Sequence, residues 1–151
     1  MGDNKMIKVN LVCVGNLKEK YWVQAVEEYS KRISRFASFN IIECPEKRTI
    51  EEEGKEIIKR LKGYVIIFDI EGKTVTSPDI ASLFNDKLNG GVSEFTFVIG
   101  GSEGLSNEVK NAGDFSMSFG RVTYPHQLMR VIACEQVYRA LTIMNNVTYH
   151  K

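Results

Sequence analysis

The chain has 151 residues, one domain's worth at roughly 150 residues per domain and long enough to bury about 68–70% of its unfolded surface without a disulfide or metal staple. Hydrophobic residues make up 43% and charged residues 26%, with a mean hydropathy of -0.19, which excludes wholesale disorder, a collagen repeat and a membrane bundle. Lys plus Arg number 20 against 19 Asp plus Glu, a net charge of +1 that argues against nucleic-acid binding by bulk charge.

The apolar stretch at residues 65–68 is far shorter than the roughly 20 residues of a membrane helix. Residues 1–5 are polar, and the apolar run from Ile7 is broken by Lys8 and Asn10, so a secretory signal is not expected. Met6 is a candidate start, with residues 1–5 a non-native or flexible extension of a single domain spanning 1–151. Cys13, Cys44 and Cys134 are odd in number and form no CxxC pair. Reduced thiols in a cytoplasmic protein, with no metal and no membrane, are the expectation.

In chain order, Ile7–Val14 reads as a strand stopped by Gly15 and Asn16. Trp22, Val26, Tyr29 and Ile33 follow at helical spacing, with Lys31, Arg32 and Arg35 near the helix end, where cations suit the dipole. Residues 40–44 form a short second strand closed by Pro45. Thr49 and Glu52 make a capping-box pattern ahead of a helix whose stripe is Ile57, Ile58 and Leu61 and whose end is spelled by Lys59, Arg60, Lys62 and Gly63. Residues 64–68, YVIIF, suit a strand covered on both faces.

Ser77 as N-cap, Pro78 and Asp79 open a third helix carried by Ile80, Leu83, Phe84 and Leu88. Residues 94–99 form another buried strand that runs into the glycines at 100, 101 and 104. Ser106 caps a short helix over 107–112, residues 115–119 form a last strand, and the final helix runs from near His126 to about Asn145. Alternating strands and helices predict an α/β fold, a mostly parallel sheet flanked by helices on both sides. Ligands of such sheets bind beyond the C-terminal strand ends, where Asp69, Gly100 and Gly120 fall.

Glycines 100, 101 and 104 allow close approach of a ligand to backbone N–H groups, and equally make a tight turn with no ligand. Neither a Walker A sequence nor a GxGxxG fingerprint is present. The last helix has a broad apolar face, which fits either a central core helix or one shared with a second subunit. Among its few polar residues are His126, Arg130, Glu135 and Arg139. The pair Glu135 and Arg139, four apart, reads first as an intrahelical ion pair, and alternatively as an arginine at a pocket rim. Tyr149 and His150 near the chain end are either frayed, or stack on and exchange protons with a base. No nucleophile elbow, HExxH or CxxC supports a hydrolase or metalloenzyme.

Three stretches carry a resemblance: LVCVGNLKEKYW at 11–22, FVIGGSEGLS at 97–106 and SFGRVTYPHQLMRVIACEQVYRALTIMNNVTYHK at 118–151. Together they resemble the ribosomal RNA large subunit methyltransferase H family of the SPOUT class, over nearly the whole chain from Met6. The resemblance implies a homodimeric α/β fold with a C-terminal trefoil knot. It also implies methyl transfer from S-adenosylmethionine to N3 of a pseudouridine in a stem-loop of 23S rRNA on the assembled ribosome. Its cofactor residues would be Phe68, Gly100, Phe119, Gly120, Arg121, Val122, Thr123 and Tyr124. Its candidates for removing the proton or steadying the base are His126, Tyr149, His150 and Arg139, with Arg130 a further candidate. The segment from Cys44 to Glu53 reads as shorter than in that family, which bears on ribosome docking. Another RNA position for the methyl group, and a non-enzymatic nucleotide- or RNA-binding module, are the rival readings.

Overall fold

A computed structural model describes residues 6–150, so the extension at 1–5 and Lys151 of the terminal motif lie outside the described residues. Strands and helices alternate: β1 (Ile7–Val14), α1 (Lys20–Ile33), β2 (Ala37–Cys44), α2 (Ile50–Ile58), β3 (Tyr64–Thr74), α3 (Ser77–Asn89), β4 (Glu94–Val98), α4 (Asn107–Ala112), β5 (Phe115–Ser118) and α5 (His126–Met144). The strands form one sheet in the order β2-β1-β4-β3-β5, with every pairing parallel.

Alternation along the strands divides the core in two. Val9, Leu11 and Cys13 of β1, Ile66 of β3, and Phe95 and Phe97 of β4 pack with α1, α3 and α5. Their neighbours Val12, Val14, Val65, Ile67 and Val98 face the other way onto Ile57 of α2 and Val109 of α4. Both faces are covered, which is why the strands read as near-continuous apolar runs. Phe84 of α3 meets Phe95 edge to face at 4.8 Å, a favoured aromatic geometry. Cys13 and Cys134 are packed in this core, and burial pushes both thiols up to about 12.

Several element ends differ from the sequence expectation for local reasons. β2 starts at Ala37 rather than residue 40, because all eight residues of β1 find partners, from Ile7↔Ala37 to Val14↔Cys44. The cap of α3 is Thr76, not Ser77: the Thr76 hydroxyl accepts from the Asp79 N–H at 3.2 Å and the Asp79 carboxylate accepts from the Thr76 N–H at 2.8 Å. Ser77 instead donates to Gln136 Oε1 of α5 at 2.6 Å, pinning the two helices together. Helix α2 ends at Ile58, so Leu61 packs on the core from the turn that follows.

The largest departure is in β3, which runs on to Thr74 instead of stopping at Phe68. Met117 of β5 is registered with both Phe68 and Lys73, so residues 69–72 bulge out of the ladder before pairing resumes. That bulge arches over the C-terminal edge of the sheet, next to the ends of β4 and β5.

Candidate functional site

Three separate loops and one helix start enclose a cavity of about 320 Å³ at that edge. The β3 bulge contributes Phe68, Asp69 and Ile70. The β4 exit contributes Ile99, Gly100, Gly101, Ser102, Gly104 and Leu105. The link from β5 to α5 contributes Phe119, Gly120, Val122, Thr123 and Tyr124, and α5 adds His126 and Met129. The volume lies within the range of about 300–1,000 Å³ usual for small-molecule sites.

Each wall has a local cause. Phe68 leans edge to face on Phe119 at 5.0 Å and stacks on Phe97 at 5.7 Å, so the first and third loops share one aromatic wall. Gly101 and Gly104 form an isolated antiparallel bridge, with the Gly104 N–H donating to the Gly101 carbonyl at 3.1 Å. A Cβ at Gly100 would sit 2.7 Å from the Gly104 backbone, so this turn closes only around glycine. In the third loop the Ser118 hydroxyl accepts from the Gly120 N–H at 3.1 Å and donates to the Gly120 carbonyl at 2.8 Å. That clasp holds Gly120 at φ +110°, a conformation L side chains rarely adopt.

Of the eight residues that the resemblance implies for the cofactor, seven line this cavity. Arg121 is the exception, its side chain exposed and outside the wall. Lys110, Leu105, Met117 and Ser118 also line it and were not singled out from the sequence as ligand contacts. Their signal was weak: Met117 and Ser118 sit in a strand four residues long, and Lys110 reads as a solvated helix residue.

The four candidates for the chemistry divide between the two ends of α5. His126 is in the cavity. Arg139, Tyr149 and His150 form a separate cluster, roughly 20 Å further along the helix at 1.5 Å per residue. There Arg139 grips Glu135 through Nη2 at 2.8 Å and Nε at 3.2 Å, the intrahelical pair that the spacing suggested. The Tyr149 hydroxyl donates to Glu135 at 2.9 Å, and its ring lies 4.8 Å from Tyr138 and 4.6 Å from the Arg139 guanidinium. His150 Nδ1 is 3.4 Å from Arg139. The tail is therefore folded back onto α5 by specific contacts. Burial, then the bond to Glu135, pushes the Tyr149 phenol up to about 12, so near neutral pH it is a donor and not a base.

Arg130 is not available to steady charge on a substrate. Only 1% exposed, it donates to Glu43 at 2.6 Å and to the carbonyls of Gly15 and Val14 at 3.0 and 3.3 Å. Its task is to tie the first turns of α5 to the ends of β1 and β2. Among the described residues no three of His, Cys, Asp and Glu converge as a metal-ligating group, and no helix is long and apolar enough to cross a membrane.

Comparison with known proteins places this arrangement. The family model described as Predicted SPOUT methyltransferase matches residues 7–150. A relative from Streptococcus pneumoniae (strain CGSP14), named Ribosomal RNA large subunit methyltransferase H, is 45% identical over 159 residues, covering 96% of this chain and all of its own. That span exceeds the 151 residues here, so the relative carries residues this chain lacks. Among solved structures, the tRNA (m1G37) methyltransferase of Aquifex aeolicus superposes with a TM-score of 0.55 at 12% identity, over 95% of this chain and 73% of its own. The SpoU methyltransferase AviRb of Streptomyces viridochromogenes, solved in complex with AdoMet, superposes at 0.50 and 10% identity, over 89% and 58%. With the family model spanning nearly every described residue and a near full-length relative at 45% identity, the chain belongs to the SPOUT methyltransferases, in the ribosomal RNA large subunit methyltransferase H family.

Proposed function

We propose that this chain is an S-adenosylmethionine-dependent methyltransferase of ribosomal RNA, acting in the cytoplasm as a homodimer on N3 of a pseudouridine in 23S rRNA of the assembled ribosome. The observation that carries the reading is the cavity: three loops far apart in sequence meet at one sheet edge, in a chain that belongs to a methyltransferase family. The walls fit the cofactor. Phe68, Ile99, Leu105, Met117 and Phe119 offer apolar surface to an adenine, and the glycine turns let backbone groups approach it. When bound, S-adenosylmethionine supplies a methyl group on a positively charged sulfur. Alignment of acceptor and donor then provides most of the rate, which suits a site built of backbone and packed rings.

The N3 proton must be taken up by the protein or by water. Tyr149 is a donor already committed to Glu135, which leaves the imidazoles of His126 and His150 as acceptors, a neutral imidazole having one ring nitrogen free to take a proton. Arg139, close to His150, steadies charge on the base. Because the Arg139 cluster is remote from its own chain's cavity, the reading places the tail of one subunit at the cavity of the other. The partly exposed apolar residues Leu128, Val131 and Ile132 of α5 support a second copy against this helix. Threading of the segment that follows β5 through the loop after β3 belongs to the same proposal, supported by the meeting of these loops in one wall. A net charge near zero fits an assembled ribosome, which offers shape as well as phosphate.

The test is transfer of labelled methyl from S-adenosylmethionine to ribosomes lacking the modification, with free 23S rRNA in parallel and the labelled base identified. Label at N3 of one pseudouridine, on ribosomes only, is expected. Label at another position, or none on either substrate, overturns the assignment of substrate.

A further inference from the structure

The cofactor residues implied by the family leave a charge problem. S-adenosylmethionine ends in an α-ammonium and an α-carboxylate, and burying either without a partner is costly. The seven implied residues that line the cavity carry no formal charge, and Arg121, the eighth, is exposed and outside the lining. Besides His126, the charged side chains on the cavity wall are Asp69 and Lys110. They meet in that wall, Lys110 Nζ lying 3.6 Å from Asp69 Oδ2.

That spacing is longer than the 2.7–2.9 Å of a charge-assisted hydrogen bond, so the pair attracts without being locked. The two partners differ in freedom. Asp69 is only 16% exposed, and its other oxygen accepts from the Glu71 N–H at 3.1 Å, which fixes the carboxylate as it shapes the β3 bulge. Lys110 is 38% exposed on the short helix α4 and its long side chain can swing.

Resting on the cofactor reading above, we infer that Asp69 and Lys110 are the specificity elements for the amino-acid end of the cofactor, Asp69 receiving the α-ammonium and Lys110 the α-carboxylate. Binding is then an exchange of ion pairs: each side chain trades the other for a ligand group of the same charge, and no charge is left alone in the wall. The same exchange gives selectivity. An adenosine thioether without the amino-acid end leaves the pair intact and gains nothing from it.

The experiment is calorimetric titration of the full chain with four probes: S-adenosylmethionine, S-adenosylhomocysteine, decarboxylated S-adenosylmethionine and 5′-methylthioadenosine. Asp69→Asn keeps an oxygen for the Glu71 N–H. It is expected to weaken the first three about tenfold or more, the scale of a lost hydrogen bond to a charged group, and to leave methylthioadenosine within about twofold. Lys110→Met is expected to weaken the two ligands that keep the carboxylate and to spare the decarboxylated one. Equal weakening of methylthioadenosine by Asp69→Asn shows that the residue only shapes the wall, and overturns the inference. Unchanged affinity for S-adenosylmethionine in both variants overturns it as well. If the unmodified chain binds none of the four probes, the cofactor reading itself falls, which separates the two failures.

Discussion

Replacing Glu43 by alanine should destabilise the protein far more than the half-exposed position of that carboxylate suggests. Its side chain is 40% exposed, but the side chain of its partner Arg130 is 2% exposed and, among the described residues, has no other anion against it. Without Glu43 the guanidinium keeps only the carbonyls of Val14 and Gly15, and its Nε already lacks a partner among the described residues. An arginine cannot shed its proton to escape. Stranding one member of a buried pair costs about 3–5 kcal/mol, against 0–1 kcal/mol for an exposed pair. At about 2–4 °C per kcal/mol for a chain of this size, the midpoint should fall by about 6–20 °C. Thermal or urea unfolding at one fixed protein concentration measures this. The diagnostic is the double variant: adding Arg130→Met to Glu43→Ala should restore part of the loss, because the stranded charge is gone. A Glu43→Ala loss under about 1 kcal/mol, or additive losses in the double variant, would refute the argument.

Gly120→Ala forces an L side chain to φ +110°, a strain of about 1–3 kcal/mol that the loop relieves by moving; affinity for S-adenosylmethionine should fall while far-ultraviolet dichroism is unchanged, and normal affinity would remove this loop from the site. Tyr149 has its folded value raised to about 12 from an ordinary 10, so its contribution to stability is complete below pH 10 and is lost as pH rises through 12. Alkaline unfolding of Tyr149→Phe should therefore lack the part of the stability loss that the unmodified protein shows between pH 10 and 12, and superimposable profiles would contradict the burial of that phenol.

Most of the scaffold was legible because its signals are local. Strand β1 and helix α4 have the bounds that apolar patterning and a capping serine indicate, and Thr49 caps α2 as its spacing with Glu52 suggests. What was not legible depends on distant partners. No pattern within residues 64–74 tells that β3 resumes pairing at Lys73, since its partner Met117 is some forty residues away and the bulge between is set by that register. Ser77 reads as a cap because it precedes Pro78, yet Thr76 takes the role and frees Ser77 for Gln136. Arg130 reads as a polar residue on a helix, and only the tertiary fold shows its guanidinium buried against the ends of β1 and β2. The cavity residues were carried by resemblance; the glycines alone left a bare turn as an equal reading.

Mixing two inactive variants tests both the proposed dimer and the proposed roles of the two ends of α5. If the tail serves its own cavity, a chain with a damaged cavity and a chain lacking residues 149–151 are each dead, and so is any mixture of them. If the tail serves the partner's cavity, a mixed dimer pairs one intact cavity with one intact tail, and activity returns. Random exchange makes half the dimers mixed, each with one working site of two, so about a quarter of the unmodified activity should reappear on mixing Gly120→Ala with the truncated chain. The roughly 20 Å of helix between His126 and Arg139 is rigid, held by Arg130 at one end and by the Tyr138 and Tyr149 packing at the other. A tail secured in this way cannot swing back to its own cavity without giving up the Glu135 bond, so mixing should restore activity; a mixture as inactive as its components would refute the placement of the tail at the partner's cavity.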